Sequence, residues 1–447
     1  MYLEQGEVID EIITKIRNGR ITRRTFLERA IAVGLTSTAA VSLLEACGGT
    51  SNSSTGGGQT VNINYIERDT NGVYKSLVDD FNKQNNGVHV NYNSNAPADT
   101  GQLLTILTTM LRARSTAYDV FPMDIIWPPE FGANGWTVPL QDKWPASDRA
   151  NYLPGPLAGC TYNGKLWAAP TRTDAGLIYY RTDIIKTPPS TWAEMTSMAK
   201  ANAPSKAKVG YVWQGAQYEG LVCDFTEVLY GYGGSVLDPN NPKSVTVNSS
   251  EGVAALTLMR SWVGGISPSA VTTYKEEDSR SSWQNGDSVF MRNWPYAYSL
   301  GNDPSTSKIA GKFEVHNMLY GGNNTTGHSS LGGWQYGINA FSKNPDAAWK
   351  FVQHQLNPTS QKTIAIQLSL FSTLKSIYTD PDVLAKNPFF GKMQPVFQNA
   401  QPRPVSPFYP DVSNAIQLRI HNALTKQASP ADALTALAAD LQTIVNK

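Results

Sequence analysis

"TVNINYIERDTNGVYKSLVDDFNKQNNGVHVNYN", residues 60–93, changes its hydrophobic period twice. Val61, Ile63 and Tyr65 alternate as on a half-buried strand, Tyr74, Leu77, Val78 and Phe81 recur at helical spacing, and Val88, Val90 and Tyr92 alternate again. Two strands joined through a helix lie parallel, and such crossovers are right-handed because strand and helix share a handedness. The unit predicts an α/β domain with a parallel sheet portion.

The mixture of periods continues outward from this stretch. "LLTILTTMLRAR" (103–114) has the spacing of a helix and "YDVFPMDIIW" (118–127) contains a strand. Thr191 with Glu194, and Asn248 with Glu251, have capping-box spacing, while Ser429 and Pro430 pair an N-cap with a proline at the first helical position. Leu434, Leu437, Leu441 and Val445 then form one apolar face, and "NPDAAWKFVQHQL" (344–356) adds another helix. "NPFFGKMQPVFQNAQPRPVSPFYP" (387–410) is so rich in proline that an irregular segment is expected, wrapping a surface or entering a cleft. No internal repeat is present.

At 447 residues the chain exceeds what one core usually organises, so two or three domains are expected. Lys and Arg number 37 against 36 Asp and Glu, for a net charge of +1, and no run of one sign occurs. Neither nucleic acid nor an anionic bilayer surface is implied as a partner.

The first fifty residues carry an address. "TRRTFLERA" (22–30) sets Arg23 and Arg24 before Phe26 and Leu27, and the apolar run "IAVGLTSTAAVSLLEA" (31–46) is too short and too interrupted to span a membrane comfortably. This resembles a twin-arginine export signal. It ends in "LLEAC", which resembles a lipobox with Leu44 and Ala46 in place and Cys47 as the lipidated residue, although Glu45 replaces the usual small residue. The Gly, Ser and Thr tract that follows has nothing to bury and suits a flexible tether. Residues 1–46 are therefore expected as signal peptide and 47–59 as tether, with the protein exported and held on the outer face of the cytoplasmic membrane.

Catalytic motifs are scarce. "GCTYNGKL" (159–166) spaces two glycines and a lysine as a phosphate-binding loop does, but ends in Leu166 where a hydroxyl would hold Mg²⁺. Its "YNGK" is instead expected to turn between two strands. His89, His316, His328, His354 and His421 share no metal-ligand spacing, and no metal or cofactor is expected. Of the three cysteines, Cys160 and Cys223 either pair or stay as buried thiols, and their separation decides neither. Two carboxylates at a set distance would make a glycoside hydrolase, which a single sequence leaves open.

"YVWQGAQYEG" (211–220), "SSWQNGDSVFMRNWPYAY" (281–298) and "LGGWQYGIN" (331–339) mix Trp and Tyr with Gly, Asn and Gln. A pyranose ring has an apolar face and a rim of hydroxyls, so it is held by an indole or phenol plus carboxylate, amide and Arg groups. Packing in a core is the competing use for each of these rings.

"CTYNGKLWAAPTRTDAGLIYYRTDII", "PPSTWAEM", "GYVWQGAQYEGLVCDFTEVLYGYGG", "SRSSWQNGDSVFMRNWPYAY", "LGGWQYGINAFSKNPDAAWKFVQ" and "RPVSPFYPDVS", in this order, resemble the trehalose/maltose-binding branch of the extracellular solute-binding proteins of ABC sugar importers. The resemblance covers the chain from residue 60 onward. It implies a fold of two α/β lobes, each a mixed sheet flanked by helices, joined by a multi-strand hinge with crossovers near 175, 334 and 383. One lobe would be 60–175 with 335–383, the other 176–334 with 384–447. It further implies a monomeric binding protein without catalysis that closes on an oligosaccharide and is recognised by permease subunits. A chemoreceptor-type sensor would use the same cleft with a receptor as partner.

Carried over motif by motif, the resemblance makes Asp124 and Asp174 acceptors for sugar hydroxyls, Trp294 and Trp334 stacking rings, Gly333 a point where the backbone closely approaches the ligand, and Arg403 a guanidinium reaching in from the proline-rich segment. Glu67 is a looser match. Arg172 stands where relatives often carry an aromatic or amide residue, and is expected either to pair with Asp174 or to reach a more polar ligand. In "NWPY", Pro295 would stiffen the presentation of Trp294, leaving Tyr296 and Tyr298 to packing.

Overall fold

The computed structural model describes residues 60–69, 71–84, 87–239 and 241–447. The expected export signal and tether, with Cys47, lie outside the described residues. Strands β1 (Val61–Ile66), β2 (Val88–Asn93) and β3 (Val120–Asp124) open the chain, and a short hairpin, β4 (Thr161–Tyr162) and β5 (Lys165–Leu166), precedes β6 (Ala169–Ala175). Next come β7 (Leu177–Arg181), β8 (Val209–Val212), β9 (Ser288–Asn293), β10 (Phe313–His316), β11 (Leu331–Ile338) and β12 (Phe371–Ser372).

Two mixed sheets result, ordered β12-β6-β11-β3-β1-β2 and β10-β7-β9-β8. In the first, β1 pairs in parallel with β2 and β3, while β11 runs antiparallel between β3 and β6. The expected unit is intact: helix α1 (Val73–Lys83) buries Tyr74, Leu77, Val78 and Phe81 as it returns the chain from β1 to β2. The "YNGK" turn is also as expected, with Asn163 and Gly164 both at positive φ between β4 and β5, the backbone a two-residue hairpin requires.

The main helices follow from local signals. They are α2 (Thr100–Arg112), α3 (Trp192–Asn202), α4 (Glu219–Gly231), α5 (Ser250–Trp262), α6 (Glu276–Gln284), α7 (Pro345–Leu356), α8 (Phe390–Asn399), α9 (Tyr409–Leu424) and α10 (Pro430–Val445). Thr191 and Glu194 close a full capping box on α3, and Ser429 caps α10 with Pro430 at its first position. At α5 the cap lies one residue later than expected: the Ser249 hydroxyl accepts from the Gly252 amide at 3.2 Å.

Two expectations are corrected. Residues 390–399 form a helix despite Pro395, because Phe390, Met393, Val396 and Phe397 share one buried face. The Phe371 and Phe390 rings, 4.1 Å apart, tie that helix to the first sheet, so residues 384–399 do not join the second lobe as expected. The chain passes between the sheets at Gly176, where β6 runs straight into β7, at 329–331, where β11 enters the first sheet, and at 400–402. The last two passes are hydrogen-bonded together: Leu331 N donates to Gln401 O at 2.7 Å and Gln401 N to Ser329 O at 2.8 Å.

The apolar packing forms two main clusters, the first of which also takes in Tyr179, Met291 and Phe313 from one face of the second sheet. One cluster joins Ile63, Tyr65, Leu107, Phe121, Trp144 and Phe351 around the first sheet, and another joins Trp192, Tyr211, Trp213, Trp262, Ile420 and Leu437 around the second. No helix among the described residues is long and apolar enough to cross a membrane.

Candidate functional site

The expected site residues come from the ends of strands that face one another across the two sheets. Glu67 follows β1, Asp124 ends β3, and Arg172 and Asp174 lie near the end of β6; these are carboxyl ends, where open α/β sheets leave a crevice. β11 runs the other way, so its first residues reach the same edge: Trp334 lies opposite both Asp124 and Arg172, and Gly332 opposite Asp174. From the second sheet, Trp294 immediately follows β9. A methyl group on Gly332 would come within 3.0 Å of the Trp294 ring, so the two strand ends meet there.

Gly333 has φ +135, and a Cβ at that position would run into the Arg172 carbonyl oxygen. The close approach that requires glycine is therefore to the neighbouring strand. A register shift between Trp334 and Gln335 accompanies it, setting Arg172 directly across from Trp334.

Arg172 does not make Asp174 its hydrogen-bonding partner. Its Nη1 donates to Tyr74 Oη at 2.6 Å and lies 3.6 Å from Glu67 Oε2, while the guanidinium sits 5.3 Å from the centre of the Trp334 ring. Glu67 is 2% exposed, and its Oε1 accepts from the Arg68 amide at 3.0 Å, while Oε2 takes no hydrogen bond among the described residues. Burial raises the Glu67 pKa, and Arg172 opposes that rise. Asp174 is pushed up to about 6 by burial, against the pull of Arg172 and with the help of the Asp124 charge. This end of the site thus holds acceptors, a cation and two aromatic rings with spare hydrogen-bonding capacity.

Arg403 arrives from the irregular stretch after α8. Its Nη2 donates to Asp124 Oδ1 at 3.1 Å and its Nη1 to Glu219 Oε1 at 2.5 Å. Glu219 lies in the first turn of α4, where a carboxylate is favoured by the helix dipole, and also accepts from Tyr409 Oη at 2.5 Å and from Ser413 Oγ. Asp124 belongs to the first sheet and Glu219 packs with the second, so one buried cation binds carboxylates from both sides. Arg403 Nε is left without a hydrogen bond among the described residues.

Of the polar, aromatic-rich segments, only parts face the site. Trp294 and Trp334 are half-buried, whereas Tyr211, Trp213 and Tyr336 are fully buried in the two cores. Tyr298 stacks on Phe389 at 4.2 Å and Tyr296 Oη donates to Glu277 at 2.9 Å, which makes both of them packing and anchoring groups. Cys160 and Cys223 are free buried thiols.

Sequence reading missed Tyr74, Glu219, Glu276 and Arg292. Glu276 accepts from Trp294 Nε1 at 3.4 Å, and the Arg292 guanidinium lies 4.1 Å from the Trp294 ring centre. Tyr74 was legible only as a core residue of α1, and the helix starts that carry Glu219 and Glu276 were not read from the sequence. A cavity of about 520 Å³ opens elsewhere, beside Trp144, Tyr152, Trp349 and Lys375. None of the carboxylates above lines it, so the candidate site is placed where charged groups and half-exposed indoles converge.

The chain is similar to known proteins in sequence and in fold. The sequence pattern of the bacterial extracellular solute-binding proteins matches residues 67–362. A probable ABC transporter-binding protein of Deinococcus radiodurans is 39% identical over 362 residues, covering 78% of this chain and 85% of that protein. Among solved structures, maltose-bound MalE3 of T. maritima superposes with a TM-score of 0.80 at 37% identity, covering 86% of this chain and 99% of its own. A ribitol complex of an ABC transporter solute-binding protein from Agrobacterium radiobacter K84 gives 0.76 at 26% identity, with 86% and 99% covered.

Proposed function

The chain belongs to the bacterial extracellular solute-binding protein family, and from that premise we propose that it captures an α-glucoside disaccharide, such as trehalose or maltose, and delivers it to the permease of an ABC importer. The observation that carries this reading is the pairing of two half-buried indoles from opposite sheets, Trp294 and Trp334, with Asp124, Asp174 and Arg403 at one junction. Indole faces accept the C–H faces of a pyranose, and charged groups at the rim take its hydroxyls. The maltose held by a relative of 37% identity supports the choice of an α-glucoside.

Each sheet with its helices acts as a lobe, and the three passes at 176, 329–331 and 400–402 act as the hinge. Ligand binds more tightly to the closed arrangement and shifts the population toward it, which the permease then reads. The protein works as a monomer, tethered by lipid on Cys47, and catalyses nothing.

A thermal-shift panel of sugars tests the reading. Ligand at one hundred times its Kd stabilises by about 2.7 kcal/mol, which gives an unfolding shift of several degrees. Stabilisation by an amino acid, peptide or polyamine, and by no mono- or oligosaccharide, overturns the sugar assignment. Monosaccharide released from the bound disaccharide, and not released by Asp174→Asn, overturns the claim of no catalysis. Cys47→Ser is expected to move the protein from membrane to soluble fractions.

A further inference from the structure

Two of the three passes between the sheets lie against one buried ion pair, and the third is bonded to the second. A methyl group on Gly176 would run into Glu227 Oε1 and Arg292 Nη2, so the first pass lies directly against both side chains. At the second, the Ser330 amide donates to Glu227 Oε1 at 3.2 Å, and Ser329 Oγ donates to Gly176 O at 2.7 Å. The third is bonded to the second through Gln401, and Tyr230 Oη donates to Pro402 O at 2.9 Å. Tyr230 and Glu227 both belong to α4, so one helix supports all three passes.

The cation of that pair is 1% exposed. Arg292 Nε donates to Glu227 Oε2 at 2.8 Å and Nη2 to Oε1 at 2.5 Å, a two-pronged pairing, and Nη1 donates to Gln214 Oε1 at 3.0 Å. Asp224 adds a second buried carboxylate 3.7 Å from Nε. With its edge occupied, the guanidinium carbon lies over the Trp294 ring, 4.1 Å from the centroid. Planar guanidinium groups stack on aromatic faces in a way an ammonium cannot.

We propose that Arg292 is a positioning residue: held by Glu227 and Gln214, it fixes the plane of Trp294, so that the sugar platform is set by the same ion pair that two of the three passes touch. This rests on the reading of Trp294 as a sugar-stacking ring. One face of the indole is taken by Arg292, and the ligand stacks on the other. The ring is in place before the ligand arrives, and a change of hinge geometry at Gly176 or Ser330 reaches it through two side chains.

The test is a double-mutant cycle read by calorimetry with whichever sugar stabilises the wild-type protein most. Arg292→Lys keeps the charge beside Glu227 but loses the flat face, and is expected to raise Kd about tenfold, the scale of one desolvated cation–π contact. In a Trp294→Ala background the same substitution is expected to change Kd by less than about twofold, since no ring is left to position. Equal losses in both backgrounds, or no loss in the wild-type background, overturn the proposal.

Because altering a buried ion pair can prevent folding, a second measurement uses the unaltered chain. The ¹⁵N order parameter of the Trp294 indole, assigned with Trp294→Phe, is expected near about 0.85 without ligand, and a value below about 0.6 that rises only with sugar overturns the proposal. If no sugar binds the wild-type protein the function proposed above fails, while the indole measurement still decides whether Arg292 holds the ring.

Discussion

Arg403 donates to Asp124 across 3.1 Å although 279 residues separate them in the chain. The contact joins the end of a first-sheet strand to a segment leaving the last pass between the sheets, and its charge is shared with Glu219 on the other side. Buried charges persist only when paired, so each member of this trio depends on the other two.

Arg403→Met leaves two buried carboxylates without their cation, and stability at pH 7.5 is expected to fall by about 3–5 kcal/mol. Burial already holds the Glu219 pKa above the usual carboxylate range. A group with a raised folded pKa contributes stability at low pH that is lost as pH rises through that value, so the variant is expected to recover part of its loss at pH 5. Urea unfolding at the two pH values checks this; an equal loss at both means that Glu219 and Asp124 find other partners.

Trp294→Ala and Tyr298→Ala are expected to separate binding from folding. Tyr298 stacks on Phe389 at 4.2 Å and touches Phe313 at 5.5 Å, so its truncation is expected to cost about 1–3 kcal/mol of stability with little change in Kd. Trp294→Ala is expected to weaken sugar binding by tenfold or more, on the order of one lost stacking ring. Denaturant titration and calorimetry on both variants give the four numbers, and the reverse pattern exchanges the two roles.

Asp174 carries a pH dependence of opposite sign in the empty and occupied protein. Burial lifts its pKa to about 6, so in the empty protein its contribution to stability declines as pH rises from the ordinary carboxylate range through about 6. Asp174→Asn is therefore expected to stabilise the empty protein more at pH 7.5 than at pH 5. Sugar hydroxyls donate best to the ionised form, so wild-type affinity is expected to fall below about pH 6 and that of the Asn variant to stay flat. Melting curves and calorimetry across pH 5–8 check both halves.

Lys275 and Asp99 form an ion pair at 3.0 Å between the start of α6 and the start of α2, helices that flank different sheets. Both are partly exposed, and such pairs contribute little each. Lys275→Glu is expected to weaken sugar binding by about two- to fivefold at low ionic strength, with the Lys275→Glu/Asp99→Lys exchange restoring it and 1 M salt abolishing the difference. A swap that restores nothing shows that this ion pair does not favour the closed arrangement.

Much of the fold was legible because its signals are short-ranged. The periods in residues 60–93, the Thr191 and Ser429 caps and the Asn163-Gly164 turn each depend on a few neighbouring residues, and each appears where expected. The α8 helix was missed because its four apolar anchors were outweighed by surrounding prolines, and packing against Phe371 decides the matter.

By itself the sequence determined the alternation of strands and helices, the family and the residue types proposed for the site, since backbone propensity and motif order are written locally along the chain. Only the tertiary structure decided which of those residues meet. Trp213 and Trp294 sit in segments of similar composition, yet one is fully buried and the other half-buried beside Arg292. Arg172 pairs with Tyr74 and Glu67, about a hundred positions away, and Glu219 with Arg403, 184 away. Neutralising a buried charge depends on what lies within a few ångströms in space, and no pattern along the chain records that distance.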